Sequence, residues 1–413
     1  MITKLRLSLM LLALPIFTFS QERESWKASP ELVEKLSQNQ TEFNYYEEKV
    51  PIYTLPDPLV TTDGKKVIHP EEWRKIRRPE ILALFESQVF GRVPSTRYHK
   101  DFKVVKEDKN AMNGRATMKL VNITVSAASR SLTIHMGLFI PNNIQKPVPA
   151  FLLVCNRPPD NIDFTRQKKS EFWPAEEIIA RGYAVAAFYN ADVDPDKHDE
   201  FKDGIHALLD KSRNNESWGT LAAWAWGTSR CVDYLVTDKA IAKDKIAVVG
   251  HSRGGKTALW AGALDERIAL VIPNEAGCGG TSLERRKYGE TIDRINKSFP
   301  HWFCGNYKAY ANKEDSLPVD NHMLMALIAP RALYVASADR DLWADPKGQY
   351  LALYHSLDVY RLFKPAMQLS PEMPPLNTPV MSGQVAYHVR DGEHNLMLKD
   401  WNFFMDFAYK VLK

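Results

Sequence analysis

The chain is short of cysteine, of one-signed charge and of long apolar runs, and each shortage removes a class of protein. Cys155, Cys231, Cys278 and Cys304 are the only cysteines in 413 residues. None of their spacings fits a zinc site, and zero, one or two disulfides remain open. The 54 basic residues nearly balance the 50 acidic ones, leaving a net charge of +4 and no long single-sign run. Phosphate binding needs concentrated basic surface, so nucleic acid is excluded as the main partner. Beyond the N-terminus no segment reaches the length of a membrane span. No repeat, low-complexity tract or linker between two domains is visible. What is there is ordinary globular material, 45% hydrophobic and 25% charged, which excludes disorder, collagen and coiled coil and suffices for a large core. The 10 Trp, 16 Tyr and 18 Phe suit sugar-stacking surfaces and large cores equally.

The first residues read as an address. Lys4 and Arg6 precede an apolar run, Leu7 to Phe19, and the small residues Thr18 and Ser20 stand before Gln21. This is the layout of a signal peptide over 1–20. No cysteine sits at the cleavage point, so a lipid anchor is unsupported. The mature protein is expected to be periplasmic or secreted, with no membrane anchor. Residues 21–80 are polar and weakly periodic and read as an arm over the main body. Residues 81–413 read as one domain.

Within that domain Pro79 to Phe90 predicts an amphipathic helix, with Pro near its start and Gly91 at its end. Strict alternation at Leu132, Ile134, Met136, Leu138 and Ile140 marks a half-buried strand, paired in a hairpin with the run around Val121, Ile123 and Val125. After Pro141 short continuous apolar runs take over, at 150–155, 183–189, 246–250, 270–274 and 332–338. They read as strands buried on both faces. Helical stretches at 174–182, 218–236, 346–357 and 400–412 separate or follow them. A hairpin followed by alternating strands and helices predicts an α/β-hydrolase: a three-layer αβα sandwich with a mostly parallel central sheet and an antiparallel N-terminal hairpin.

The strand ending at Gly250 runs into His251-Ser252-Arg253-Gly254-Gly255-Lys256 and then a helix. This fits G-x-S-x-G in the strand–turn–helix setting of a nucleophile elbow, so Ser252 is the candidate nucleophile. The following helix N-terminus favours developing negative charge. The candidate base is His394, in the last loop before the terminal helix. His388 reads instead as a packed, hydrogen-bonded strand residue, and His251 is expected to point away from the serine. Two acids can orient the base: Asp341, after the strand 332–338, and Glu275, after the strand 270–274. Both should emerge at the carboxyl edge of the sheet with Ser252, and the sequence leaves the acting acid open.

Taken together, GHSRGGK (250–256), NEAGCGG (274–280), RRKYGET (285–291), HWFCGNY (301–307) and DLWADPKG (341–348) resemble the glucuronoyl esterases of carbohydrate esterase family 15, in their bacterial branch. The resemblance spans roughly residues 70–413. It implies an exported α/β-hydrolase that uses no metal or organic cofactor and cleaves esters between 4-O-methyl-glucuronic acid on xylan and lignin alcohols. It matches Ser252 to the nucleophile, Arg253 to an oxyanion-stabilising arginine, and Glu275 to the motif acid, with Asp341 matching an acid some bacterial members use instead or as well. It matches Lys256, Glu290 and Trp343 to sugar-contacting residues. Lys256 and Glu290 read as a surface salt bridge and Trp343 as loop packing if that role is absent.

The chain departs from the fungal pattern at two linked places. Fungal members carry a cysteine where this chain has His251, bridged to another beside the histidine, where Asn395 stands here. An essential disulfide is therefore not expected. Rival readings are an acetyl xylan esterase with the same triad, and a non-catalytic exported glycan-binding protein. The expected partner is a glucuronoxylan or lignin–carbohydrate ester, and the expected state is a monomer.

Overall fold

Ten strands hydrogen-bond into one sheet in the computed structural model, which describes residues 24–412; the expected signal peptide at 1–20 lies outside the described residues. In chain order they are β1 (His99–Asn110), β2 (Ala116–Ala127), β3 (Arg130–Pro141), β4 (Val148–Cys155), β5 (Ala184–Tyr189), β6 (Ile241–His251), β7 (Ile268–Asn274), β8 (Ala332–Ala338), β9 (Val380–Ser382) and β10 (Val385–Arg390). Their spatial order is β1-β2-β3-β5-β4-β6-β7-β8-β10-β9. The six strands from β5 to β10 in that order are parallel, and antiparallel pairs flank them at both edges. The expected hairpin is β2–β3, with Val121 opposite Met136 and Ile123 opposite Ile134. Beyond Met136 the alternation of β3 gives way to continuous burial, because there the strand also pairs with β5.

β1 was not expected. Its sequence, HKDFKVVKEDKN, is mostly charged and exposed, and its pairing slips between Val104 and Lys106. Lysines along an irregular outer strand discourage edge-to-edge association, and the same charges hide the strand's period. The parallel strands are legible because both their faces are covered. In β4, Leu152 and Val154 enter one core with Trp224 and Trp260, while Phe151 and Leu153 enter the other with Trp173 and Trp401. Helices Thr220–Leu235, Arg253–Leu264 and Leu398–Val411 are among the covering elements. All four cysteines are buried free thiols. Among the described residues no helix is long and apolar enough to cross a membrane.

The helix expected from Pro79 starts earlier. Helical backbone runs from Pro70 to Phe90, with wide π-type turns at Trp73–Arg77 and Glu86–Phe90. Proline lacks an N–H, and the wide turn just before Pro79 lets the backbone continue through it. The run crosses residue 80, so the polar N-terminal segment and the domain share one element. Gly91 ends it at φ +86°, where a Cβ would lie 2.4 Å from the Trp218 Cα.

The turn after β6 shows why its glycines are there. Ser252 has φ 57° and ψ −124°, a strained conformation for a residue with a side chain. Its N–H donates to the Asn274 carbonyl at 2.9 Å, and its carbonyl accepts from Gly255 and Lys256 as the helix begins. The chain doubles back so closely that a Cβ on Gly250 would lie 1.9 Å from the Gly254 oxygen. Backbone on both sides leaves nothing soft to move. Gly250→Ala is therefore expected to destabilise the protein by about 3 kcal/mol or more, read as a lower urea midpoint; an unchanged midpoint contradicts the tight-turn account.

Candidate active site

Parallel strands place their carboxyl ends at one edge, and the register aligns them there. Val154 pairs with Gly250, His251 with Asn274, and Arg390 with Ala338. The loops that follow carry Ser252, Glu275, Asp341 and His394. The His394 ring lies with its centroid 4.4 Å from that of His251, the residue next to Ser252. His394 Nδ1 is 2.6 Å from Asp341 Oδ2 and 3.1 Å from Glu275 Oε2. Facing two carboxylates, Nδ1 keeps its proton and hydrogen-bonds to Asp341; Nε2 carries the lone pair once the ring is neutral. Both acids left open by the sequence thus reach the imidazole. Asp341 holds the hydrogen bond, and Glu275 stands behind it.

Glu275 is itself held by buried donors. Its Oε1 accepts from Arg390 Nη2 at 2.7 Å and its Oε2 from the Asn395 N–H at 2.9 Å. Burial pushes its carboxyl up to about 8, against the pull of His394 and Arg390. Burial also disfavours a charged His394, but the Asp341 and Glu275 carboxylates outweigh it and hold the imidazole well above its ordinary 6.5, at about 10. Arg390 is fully buried and bonds through all three nitrogens, to Glu275, Asp400 and the carbonyls of Asp391, Glu393 and Asn395. It ties the histidine loop to β7 and the terminal helix. Sequence reasoning missed it; the available signal was a charged residue closing an otherwise apolar strand. His388 is packed as expected, between the Tyr334 hydroxyl and Asp400.

His251 was expected to point away from the serine. Its ring packs against that of His394, with Nδ1 donating to Asn274 Oδ1 at 2.6 Å. Burial holds it neutral, well below its usual value. His251, Glu275 and His394 are the one set of metal-ligating types brought together among the described residues. Both Glu275 oxygens and His394 Nδ1 are already committed to protein partners, which leaves a cation few lone pairs.

Arg253 opens the helix after Ser252 and pairs with Asp196, a loop residue the sequence did not single out among its many acidic neighbours. Lys256 is buried; its ammonium donates to the Ala276 carbonyl and stands 4.0 Å from Glu290 Oε2. The surface salt bridge expected for this pair in the absence of a sugar role is thus a buried, loosely paired couple at the site. The Glu290 N–H donates to the Trp343 carbonyl at 3.0 Å, and Trp343 meets the edge of Phe43 at 4.8 Å. Phe43 belongs to the N-terminal segment, to which Gly289 also bonds through Asn44. That segment is fastened by Glu47, which accepts from Arg286 and Lys347. It thus backs the Glu290–Trp343 side, a role its sequence did not reveal. Arg157, two residues past β4, stacks on Phe172 at 4.4 Å.

A ten-stranded, mostly parallel sheet with a strained serine turn and a histidine–acid cluster at its carboxyl edge is that of an α/β-hydrolase. A family model described as "Glucuronyl esterase, fungi" matches residues 123–363. A carbohydrate esterase, MZ0003, from an unknown prokaryotic organism is 40% identical over 397 residues, covering 89% of this chain and 91% of that protein. The 4-O-methyl-glucuronoyl methylesterase of Schizophyllum commune is 30% identical, with 74% and 72% covered. The structure of a glucuronoyl esterase from Solibacter usitatus superposes with a TM-score of 0.82 at 37% identity, over 88% of this chain and 99% of that one. The chain belongs to the glucuronyl esterase family.

Two predictions follow from the electrostatics. A base at position 394 must be neutral to act, so its activity should be lost as pH falls through the raised His394 value. The acid limb of kcat/KM should lie above pH 6.5, and Asp341→Asn should move it toward acid by removing a charge that favours the imidazolium. A limb that stays in place contradicts the coupling. Arg390→Met should cost about 3–5 kcal/mol in urea unfolding by stranding Glu275 and Asp400; a loss under ~1 kcal/mol contradicts the buried pairing.

Proposed function

We propose that this protein is a serine carboxylic-ester hydrolase that cleaves esters of 4-O-methyl-glucuronic acid through a glucuronoyl-enzyme intermediate. The observation that carries the reading is the doubly braced imidazole: His394 Nδ1 is 2.6 Å from Asp341 and 3.1 Å from Glu275, beside the strained turn of Ser252. Membership in the family points to the acyl group.

In this reading His394 Nε2 takes the Ser252 hydroxyl proton as Oγ attacks the ester carbon. The tetrahedral oxyanion is met by the Arg253 guanidinium and by N–H groups at the helix start, donors fixed before charge develops. Collapse breaks the bond to the alcohol oxygen, which receives the proton from His394. Water, deprotonated by the same ring, then attacks the acyl-enzyme and releases the free uronic acid and Ser252. Asp341 keeps the proton on Nδ1 throughout, and Glu275 supports the imidazolium that forms twice. Lys256 and Glu290, loosely paired at 4.0 Å, suit the hydroxyls of the uronate ring, and the half-buried Trp343 offers it a flat face. A polar pocket for the acid's own sugar favours a uronate over an acetyl group. We further propose a monomer exported by residues 1–20, acting on glucuronoxylan in the periplasm or outside the cell.

Ser252→Ala should lower kcat on methyl glucuronate by roughly 10⁴-fold or more; an unchanged kcat ends this reading. Wild type should also prefer methyl glucuronate to 4-nitrophenyl acetate in kcat/KM, and Lys256→Met should lose at least about tenfold on the uronate alone. A preference for the acetate, or an equal loss on both esters, favours the acetyl esterase.

A further inference from the structure

The arginine beside the nucleophile is held in a bracket of its own. Asp196 lies in the loop after β5. Its Oδ2 accepts from Arg253 Nη1, and its Oδ1 accepts from His301 Nε2 at 2.9 Å and Trp302 Nε1 at 2.8 Å. The Trp302 ring also presents its face to the Arg253 guanidinium, 4.9 Å from the centroid, with Phe299 at 5.5 Å. Trp302 and Phe299 stack on each other with centroids 3.7 Å apart and planes 3° from parallel. The ion pair restrains one end of the guanidinium, and the aromatic pair restrains its tilt.

The bracket is itself anchored. The Thr220 and Leu221 N–H groups donate to the carbonyls of His301 and Trp302, at the start of helix Thr220–Leu235. Nearby Asp194 accepts from the Thr220 hydroxyl at 2.7 Å, and its carbonyl accepts from Trp224 Nε1 at 2.7 Å. The Asp196 loop and the His301–Trp302 segment thus hang on one helix. Within this frame two buried nitrogens have no partner, His301 Nδ1 and Arg253 Nε, and the second is a donor on a charged group. An unmade buried hydrogen bond on a charged group is costly, and an oxyanion forming beside Ser252 offers such a donor its acceptor.

We propose that Asp196 is a positioning residue, which with His301 and Trp302 fixes the Arg253 guanidinium so that its remaining N–H groups are reserved for the oxyanion. The inference rests on the oxyanion role of Arg253 proposed above. Two effects of the carboxylate oppose each other. Its negative charge cancels part of the guanidinium's field, which hinders oxyanion stabilisation. Its hydrogen bond fixes the fork of donors, which helps. Replacing the carboxylate by an amide of the same shape separates them by sign: cancellation predicts a faster enzyme, positioning a slower one.

The test is a double-mutant cycle between Asp196→Asn and Arg253→Ala, measured on methyl glucuronate and on 4-nitrophenyl acetate. Asp196→Asn should lower kcat by about 10- to 100-fold with KM changed less than about twofold, and in the Arg253→Ala background it should change kcat less than about twofold. Trp302→Phe removes one donor to Asp196 but keeps an aromatic face. It should cost a few-fold by the same route and provides a second arm if Asp196→Asn folds poorly. A kcat that is unchanged or raised in Asp196→Asn, or that falls equally with and without Arg253, overturns the proposal. If Arg253→Ala itself leaves kcat intact, the oxyanion role fails, and the positioning role falls with it. A failure of the uronate reading alone leaves the cycle on the acetate ester standing.

Discussion

The active edge of this protein depends on a cation that never reaches the solvent. Arg390 is fully buried, and a charge in that position is tolerable only with its donors satisfied and its charge matched. Asp400 supplies the counter-charge, Glu275 adds a buried carboxyl acceptor, and three carbonyls of the following loop accept from Nη1 and Nη2. Two of those carbonyls, of Glu393 and Asn395, flank His394. The loop is thus fastened on either side of the histidine, while the same guanidinium holds an acid behind the imidazole. Asp339 adds a further tie by accepting from the Gly392 N–H at 2.7 Å. A ring on a surface loop gains in this way the fixed orientation that the proposed proton transfer requires.

The parallel strands were legible in the sequence because burial on both faces writes continuous apolar runs, and the hairpin because one-sided burial writes alternation. β1 was not, since a solvent-facing edge strand is selected for charge. The early start of the Pro70–Phe90 helical run was hidden because Pro79 looks like a beginning when read locally. Ser252, His394, Glu275 and Asp341 were legible from their positions just past strand ends, and the structure brings them to one edge. Their partners were not. Arg390 and Asp196 act through contacts that join distant loops, and no local period or spacing marks such residues. His251 shows the limit from the other side: its place beside the serine was plain, but its packing against His394 depends on Asn274 from the neighbouring strand.

Strain and support are distributed unevenly around the site. Ser252 and Glu275 both have positive φ, at 57° and 48°, a conformation that costs residues with side chains about 1–3 kcal/mol and persists only where the surroundings over-determine it. Glycines at 250, 254 and 255 remove the collisions beside Ser252, and the Glu275 N–H is held by the Ala336 carbonyl at 2.8 Å. On the Trp343–Glu290 side the support comes from far away in sequence. The N-terminal segment contributes Phe43 and Asn44 to the wall of Trp343 and Glu290. The polar, weakly periodic stretch that carries no motif is therefore part of the site's architecture.

The central claim is that Ser252 is made nucleophilic by His394 across this edge. It is tested most directly by labelling the intact protein with an organophosphonate ester and locating the adduct by mass spectrometry. The account predicts one adduct, on Ser252, whose rate of formation falls by at least about 100-fold when His394 is replaced by alanine. An adduct elsewhere, or labelling of Ser252 that proceeds undiminished without the histidine, contradicts it.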